Sequence, residues 1–239
     1  MDKKNKISLI IILIITLICI GICIYSIIYN KNIKSNDAIK FRNEYMEYND
    51  KVNENTDKAY VNVIISDTNT VNYVNENEAI ELLEKGTGII YFGFATCPWC
   101  RSLVSTLTSV AEEKKEPIYY LDILSIRSSY ELEDGKLSKI KDGTDKYYQI
   151  LQLLNNELDE FYLTDESGNV YDTGEKRLYA PTIVAISNGK ITGIHVGTVD
   201  SQESGNDSLN SEQIEELSKI IGNLIDNNKK LDVCTQEKC

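Results

Sequence analysis

The stretch Ile89-Ile90-Tyr91-Phe92-Gly93-Phe94-Ala95-Thr96-Cys97-Pro98-Trp99-Cys100-Arg101 decides the reading of this chain. Ile89–Ala95 is a near-continuous apolar run, as expected of a central strand covered on both faces. A helical stripe follows it, made by Leu103, Val104, Leu107, Val110 and Ala111. Two cysteines therefore sit where a buried strand hands over to a helix. Pro98 suits the first helical position, where its missing N–H is not needed. That places Cys97 near the N-cap, where open N–H groups and the positive end of the helix dipole favour a thiolate. Thiols in such places ionise at about pH 3.5–7.5, against about 8.5 for a free cysteine. Cys100, one turn further in, can reach Cys97 and close a short disulfide ring. Cys97 is thus the candidate nucleophile and Cys100 the resolving thiol.

A zinc knuckle and a structural disulfide compete with this redox reading. Zinc normally takes four ligands, and no second CxxC or CxxH lies near the first. Cys234 and Cys239 are more widely spaced and far off in sequence. The strand–CPWC–helix context favours redox chemistry, with no metal and no cofactor expected.

Outward from this segment, strand and helix patterns alternate. Ala59–Ser66 reads as a strand. Asn75 with Glu78 is a capping-box signal for a helix through Ile80, Leu82 and Leu83 to about Lys85, stopped by Gly86-Thr87-Gly88. Pro117–Ile123 reads as the next strand. Residues 124–178 are less regular; Tyr147, Ile150, Leu151, Leu154 and Leu158 form one helical stripe, Ser167-Gly168 reads as a turn, and a helical insertion is expected. Thr182–Ile186 and Lys190–Val196 flank Ser187-Asn188-Gly189, the strongest hairpin signal in the chain, because Asn-Gly suits a type I′ turn. A last helix is expected from Ser211 to Asn227, with Ile214, Leu217, Ile221 and Leu224 on one face. This order implies an α/β domain over 59–230, a mixed central sheet with helices on both faces. The Gly86-Thr87-Gly88 run precedes a strand instead of following one, so it is no phosphate loop.

The N-terminal part reads differently. After a short tail (1–6), the run from Ile7 to Ile28 carries no charge and is dense in Ile and Leu. As a helix it is roughly 33 Å long, enough to cross a bilayer. A cleavable signal peptide and a lipoprotein box are the alternatives. The run is long for the first, no small-x-small site follows it, and Cys19 and Cys23 are both preceded by Ile, not the small residue a lipoprotein box needs. An uncleaved signal-anchor over 7–29 is expected, with Cys19 and Cys23 as apolar filler and the C-terminal domain outside the cell membrane. Residues 30–58 read as a polar, Asn-rich stalk, in which Phe41, Tyr45, Tyr48 and Val52 make a helical stripe that suits a short helix packed on the domain in place of a wholly flexible spacer.

Composition bounds the rest. The chain has 239 residues and a formal net charge of −12, which argues against a nucleic-acid partner. Its one histidine, His195, excludes HExxH and His-rich metal sites. His195 alternates with Ile194 and Val196, and reads as a surface strand residue.

Taken with Tyr179-Ala180-Pro181-Thr182-Ile183-Val184 and the strand–Asn-Gly–strand that ends in Val196-Gly197, the FATCPWCRSLV segment resembles the thioredoxin superfamily. The YFGFATCPWCR…IYYLDI…PTIV…NGK pattern is similar to bacterial bacteriocin-transport accessory proteins, an extracytoplasmic thioredoxin-like group. The resemblance covers about 59–230. It implies that Pro181 follows a cis peptide bond and faces the CxxC. It implies that Ala180 offers its backbone to a substrate peptide as an added strand, and that Gly197 admits that peptide. Trp99 belongs to the docking surface on this reading.

Two departures stand out. Thioredoxins carry a buried acid six residues before the first cysteine, to assist proton transfer; here that position is Tyr91. Pro181 also lies much further from Cys97 than in a minimal thioredoxin, the extra chain being the insertion. Arg101 is a candidate for lowering the Cys97 pKa, or else a solvated helix charge. Cys234 and Cys239, in a tail at 231–239, read as a local disulfide or a second redox pair.

These readings converge on a membrane-anchored thiol–disulfide oxidoreductase, an enzyme acting on protein or peptide thiols and disulfides and recharged by a redox partner. The competing expectation is a non-catalytic accessory or chaperone-like module for a secreted peptide or an exporter.

Overall fold

The computed structural model describes the backbone of residues 3–54 and 56–237, and the side chains of 12–25, 36–54 and 56–231. In chain order the elements are α1 (Lys3–Met46), the two-residue strands β1 (Val52–Asn53) and β2 (Lys58–Ala59), then β3 (Val71–Tyr73) and α2 (Glu76–Lys85). Next come β4 (Gly88–Gly93), α3 (Pro98–Glu113) and β5 (Ile118–Asp122). The insertion holds β6 (Ser129–Glu133), β7 (Lys136–Lys141), α4 (Asp145–Leu153), β8 (Glu160–Thr164) and β9 (Val170–Lys176). The hairpin β10 (Thr182–Ser187) and β11 (Lys190–Val196) precedes α5 (Ser211–Glu237).

The central sheet is mixed and runs β11-β10-β4-β5-β3. β4 and β3 are both parallel to β5, and β10 is antiparallel to β4 and β11. All six residues of β4 are buried, which explains the unbroken apolar run in its sequence. Register places Tyr73, Tyr120 and Tyr91 side by side on one face. Phe41 and Tyr45 of α1 close over this row, Phe41 meeting the Tyr120 ring edge-on at 4.8 Å. α3 lies on the same face and packs against α5, which also covers β10 and β11. Tyr119 points the other way and shares a groove with Leu82 of α2, so α2, with α4 against it, covers the opposite face. The molecule is therefore α/β with helices on both faces of a mixed sheet.

Local chemistry accounts for the element ends. Asn75 and Glu78 form a reciprocal capping box at the start of α2. At the β10–β11 turn, Asn188 (φ 50) and Gly189 (φ 71) both take left-handed backbone, as the Asn-Gly signal requires.

Several expectations are corrected. The chain at 60–66 is extended but joins no ladder. The polar groups of its middle go to side chains instead: Asn49 bonds both N–H and C=O of Val63, Arg101 donates to Val61 O, and Ser105 accepts from Ile64 N–H. The edge strand beside β5 is β3, which was not anticipated; β11 forms the other edge. The insertion is not mainly helical; α4 sits between two hairpins. In the stalk, the expected helix packed on the domain is the end of α1, one helix to Met46 whose last turns are buried at Ala38, Phe41 and Tyr45. Val52 leaves the helical stripe and stands exposed in β1.

The last helix runs past Asn227 to Glu237 and buries Leu217, Ile221 and Ile225, while Ile214 is exposed. Cys234 therefore lies on α5, not in a loose tail. Its side chain, and all of Cys239, fall outside the described residues, as do the side chains at 7–11 and 26–29 of the expected span. Among the described residues no helix is long and apolar enough to cross a membrane.

Candidate active site

Cys97 is the N-cap of α3, and Pro98 is the first helical residue. The Cys97 sulfur accepts the backbone N–H of Cys100 at 3.3 Å, the role a serine or aspartate oxygen fills at other helix starts. Its own thiol donates to the Ala180 carbonyl oxygen at 3.3 Å. The Ala180–Pro181 peptide is cis, and Gly197 N–H donates to Pro181 O at 2.9 Å. The structure thus brings Cys97, Ala180, Pro181 and Gly197 into one corner, where β10 begins and β11 ends beside the start of α3.

The two sulfurs are unequal. Cys97 keeps 5% of its surface and Cys100 none. The Cys97 thiol is held below its ordinary pKa, first by a hydrogen bond from the Cys100 side chain, then by backbone N–H groups and the Arg127 guanidinium. Burial pushes the Cys100 thiol well up. Of the two thiols, the one that solvent can reach is therefore the first to ionise.

Arg127 was not singled out from the sequence. It follows β5, which runs parallel to β4, so both strands end on the edge of the sheet that carries Cys97. Its guanidinium lies 4.6 Å above the Phe94 ring. A charged residue just beyond the C-terminal end of a parallel neighbour was the available signal.

Arg101 acts elsewhere. It is 1% exposed and donates to Val61 O, Tyr45 O, Ala95 O and Asn49 Oδ1 over 2.7–3.1 Å, which clamps the end of α1 onto α3. It is neither a solvated helix charge nor a charge lowering the Cys97 pKa.

A cleft of about 610 Å³ opens beside the cysteines, with Trp99, Tyr179, Ala180, His195 and Gly197 in its wall. Trp99 is half-buried against Gly205, where even a methyl group would press on the indole at 2.9 Å. His195 is half-buried and faces the cleft, so it is not the surface residue expected, and burial holds its pKa down. Among the described residues no group of three or more His, Cys, Asp or Glu is arranged to hold a metal ion.

Beneath the pair stands Tyr91, fully buried, its hydroxyl 2.8 Å from that of Tyr45.

No protein-family model and no curated protein matches this chain.

Proposed function

We propose that this protein is a thiol–disulfide oxidoreductase of thioredoxin type, working through Cys97 and Cys100 on protein or peptide substrates. The observation that carries the reading is the Cys97 sulfur. It caps a helix, is held below its ordinary pKa, keeps some exposure, and lies 3.3 Å from a backbone carbonyl at a cleft. Such a sulfur ionises more readily than a free thiol, as a nucleophile must, and has a peptide-docking edge beside it.

The Cys97 thiolate attacks one sulfur of a substrate disulfide. The substrate S–S bond breaks, a Cys97–substrate mixed disulfide forms, and the first substrate sulfur leaves and takes a proton from solvent. Cys100 then attacks the Cys97 sulfur. The mixed disulfide breaks, the Cys97–Cys100 disulfide forms, and the Cys100 proton passes to the second departing thiolate. The substrate gains two electrons and the cysteine pair loses two. The reverse sequence oxidises a substrate dithiol. A partner redox couple sets the direction, each difference of about 30 mV shifting the balance by about 1.4 kcal/mol. Ala180 supplies backbone polar groups that align the substrate chain as an added strand, and Gly197 leaves room for it.

Anchoring in the cell membrane through residues 7–29, with the redox domain outside, belongs to the same proposal. It is supported by the uncharged sequence from Ile7 to Ile28 and by the exposure of the side chains from Ile12 to Tyr25, which no other element covers.

The test is disulfide exchange by the full chain in detergent. Wild type is expected to reduce or oxidise a small disulfide substrate, and Cys97→Ser to abolish turnover. Turnover equal in the two proteins would replace this reading with a binding module.

A further inference from the structure

Charges that a fold takes out of water are normally paired. Arg127 is half-buried and Arg177 is 8% exposed, yet among the described residues neither forms a salt bridge. Arg177 donates to the carbonyl of Ser128, the residue after Arg127, at 2.7 Å. Each guanidinium lies on an aromatic ring, Arg127 at 4.6 Å from that of Phe94 and Arg177 at 4.4 Å from that of Phe161. The two rings flank the Cys97–Ala180 contact. Phe94 O accepts from Cys97 N–H at 3.1 Å, and Phe161 packs edge-on against Tyr179, the residue before Ala180.

The donors here are left over. Arg101, equally buried, fills its fork with four acceptors. Among the described residues the Arg127 guanidinium meets no acceptor, and that of Arg177 meets Ser128 O alone. The carboxylates of this region are engaged elsewhere. Asp122 accepts from Leu124 N–H, and Glu175 from Lys139, Ser128 and Tyr148. Tyr147 is fully buried against the same loop, since a side chain at Gly143 would meet its ring and Ser128 N together. Its hydroxyl has no partner of hydrogen-bond geometry among the described residues.

We propose that Arg127 and Arg177 form a docking site for a carboxylate of the substrate, the side chain of an aspartate or glutamate next to the reacting cysteine. This rests on the redox reading above and names its substrate class, a cysteine peptide with an acidic flank. A guanidinium fork matches a carboxylate with two N–H···O bonds, and Arg127 has its whole fork to offer. Burial and then the positive charge of Arg177 push the Arg127 pKa down, and a carboxylate bound between them relieves both strains on the charged form. The net charge of −12 repels an acidic peptide at long range, so a preference for one has to come from a local cationic site.

The experiment uses the full reduced chain in detergent and short peptides whose single cysteine is joined to a coloured aromatic thiol. The peptides come in pairs, with Glu or Gln immediately before or immediately after the cysteine. Release of the coloured thiolate gives kcat/KM for each, and the readout is the Glu/Gln ratio. In wild type the ratio is expected to reach about tenfold at one of the two positions, the worth of one charge-assisted hydrogen bond, and to fall toward one in high salt. Arg127→Met is expected to bring it near one. That variant also slows both peptides through the Cys97 thiol, an effect the ratio cancels. Arg127→Lys should restore part of the ratio, because it keeps the charge without the fork. Arg177→Met should lower the ratio as well, and Arg127→Met decides alone if Arg177→Met does not fold. A wild-type ratio of one at both positions, or an unchanged ratio in Arg127→Met, would overturn the inference and leave the redox reading standing. Failure of wild type to exceed Cys97→Ser with every peptide would remove the redox reading itself.

Discussion

At the scale of single residues, the site turns on where two guanidinium groups point. Arg127 faces Cys97 and favours its thiolate, so removing that charge must raise the Cys97 pKa. The rate of Cys97 alkylation by iodoacetamide is expected to have a pH midpoint below that of a free thiol. In Arg127→Met the midpoint should move up toward the free value, and the rate below it should fall. An unmoved midpoint would assign the low pKa to the helix start and Cys100 alone. Arg101 is chemically identical and does something else, because its fork is filled by three carbonyls and an amide oxygen. Arg101→Met should strand those buried acceptors at about 1–3 kcal/mol each, read as a fall in chemical-denaturation midpoint, with little change in the Cys97 pKa. The sequence showed Cys97, Pro98 and Cys100 because their spacing and context are local. It did not distinguish the two arginines. Adjacency to the motif pointed at Arg101, whereas the parallel pairing of β4 with β5 puts Arg127 at the site.

At the scale of elements, short-range signals were legible and long-range pairing was not. The capping box at Asn75 involves residues three apart, and the structure has it. Asn75→Ala is expected to cost about 1 kcal/mol, measured by thermal unfolding, because two first-turn N–H groups lose their acceptor. The Asn188-Gly189 turn was read for the same reason. Asp134-Gly135 carries the same turn chemistry, at φ 49 and 72, after the alternating Tyr130–Glu133, so the first insertion hairpin has a local signal in the sequence. The failure at 60–66 has a different source. Val61, Val63 and Ile65 alternate with exposed Asn62 and Ile64 as a strand would, but the partners for their backbone are Asn49, Arg101 and Ser105. Hydrophobic period reports which side is buried; it cannot report whether the neighbour is a strand or a side chain. The same limit hid β3, three residues whose only signal is their place beside β5.

At the scale of the whole molecule, the N-terminal helix is part of the domain. Phe41 and Tyr45 roof the tyrosine row of the sheet, Ala38 O accepts from buried Asn69, and Tyr45 O accepts from Arg101. A helix that is continuous from Lys3 to Met46 and buried at its last turns transmits position along its length. From Ile28 to Tyr45 it rises about 25 Å, so an anchor at 7–29 would hold the cysteine pair at a set height above the membrane instead of on a loose tether. The consequence is testable by truncation. A fragment of residues 36–239 keeps the roof, and one of 59–239 removes it and uncovers Tyr73, Tyr91 and Tyr120. The shorter fragment is expected to unfold at a markedly lower temperature by circular dichroism, since loss of Phe41 alone, as Phe41→Ala, should cost about 3–5 kcal/mol. Equal stability in the two fragments would make α1 a passive tether and confine the fold's support to the sheet and its other helices.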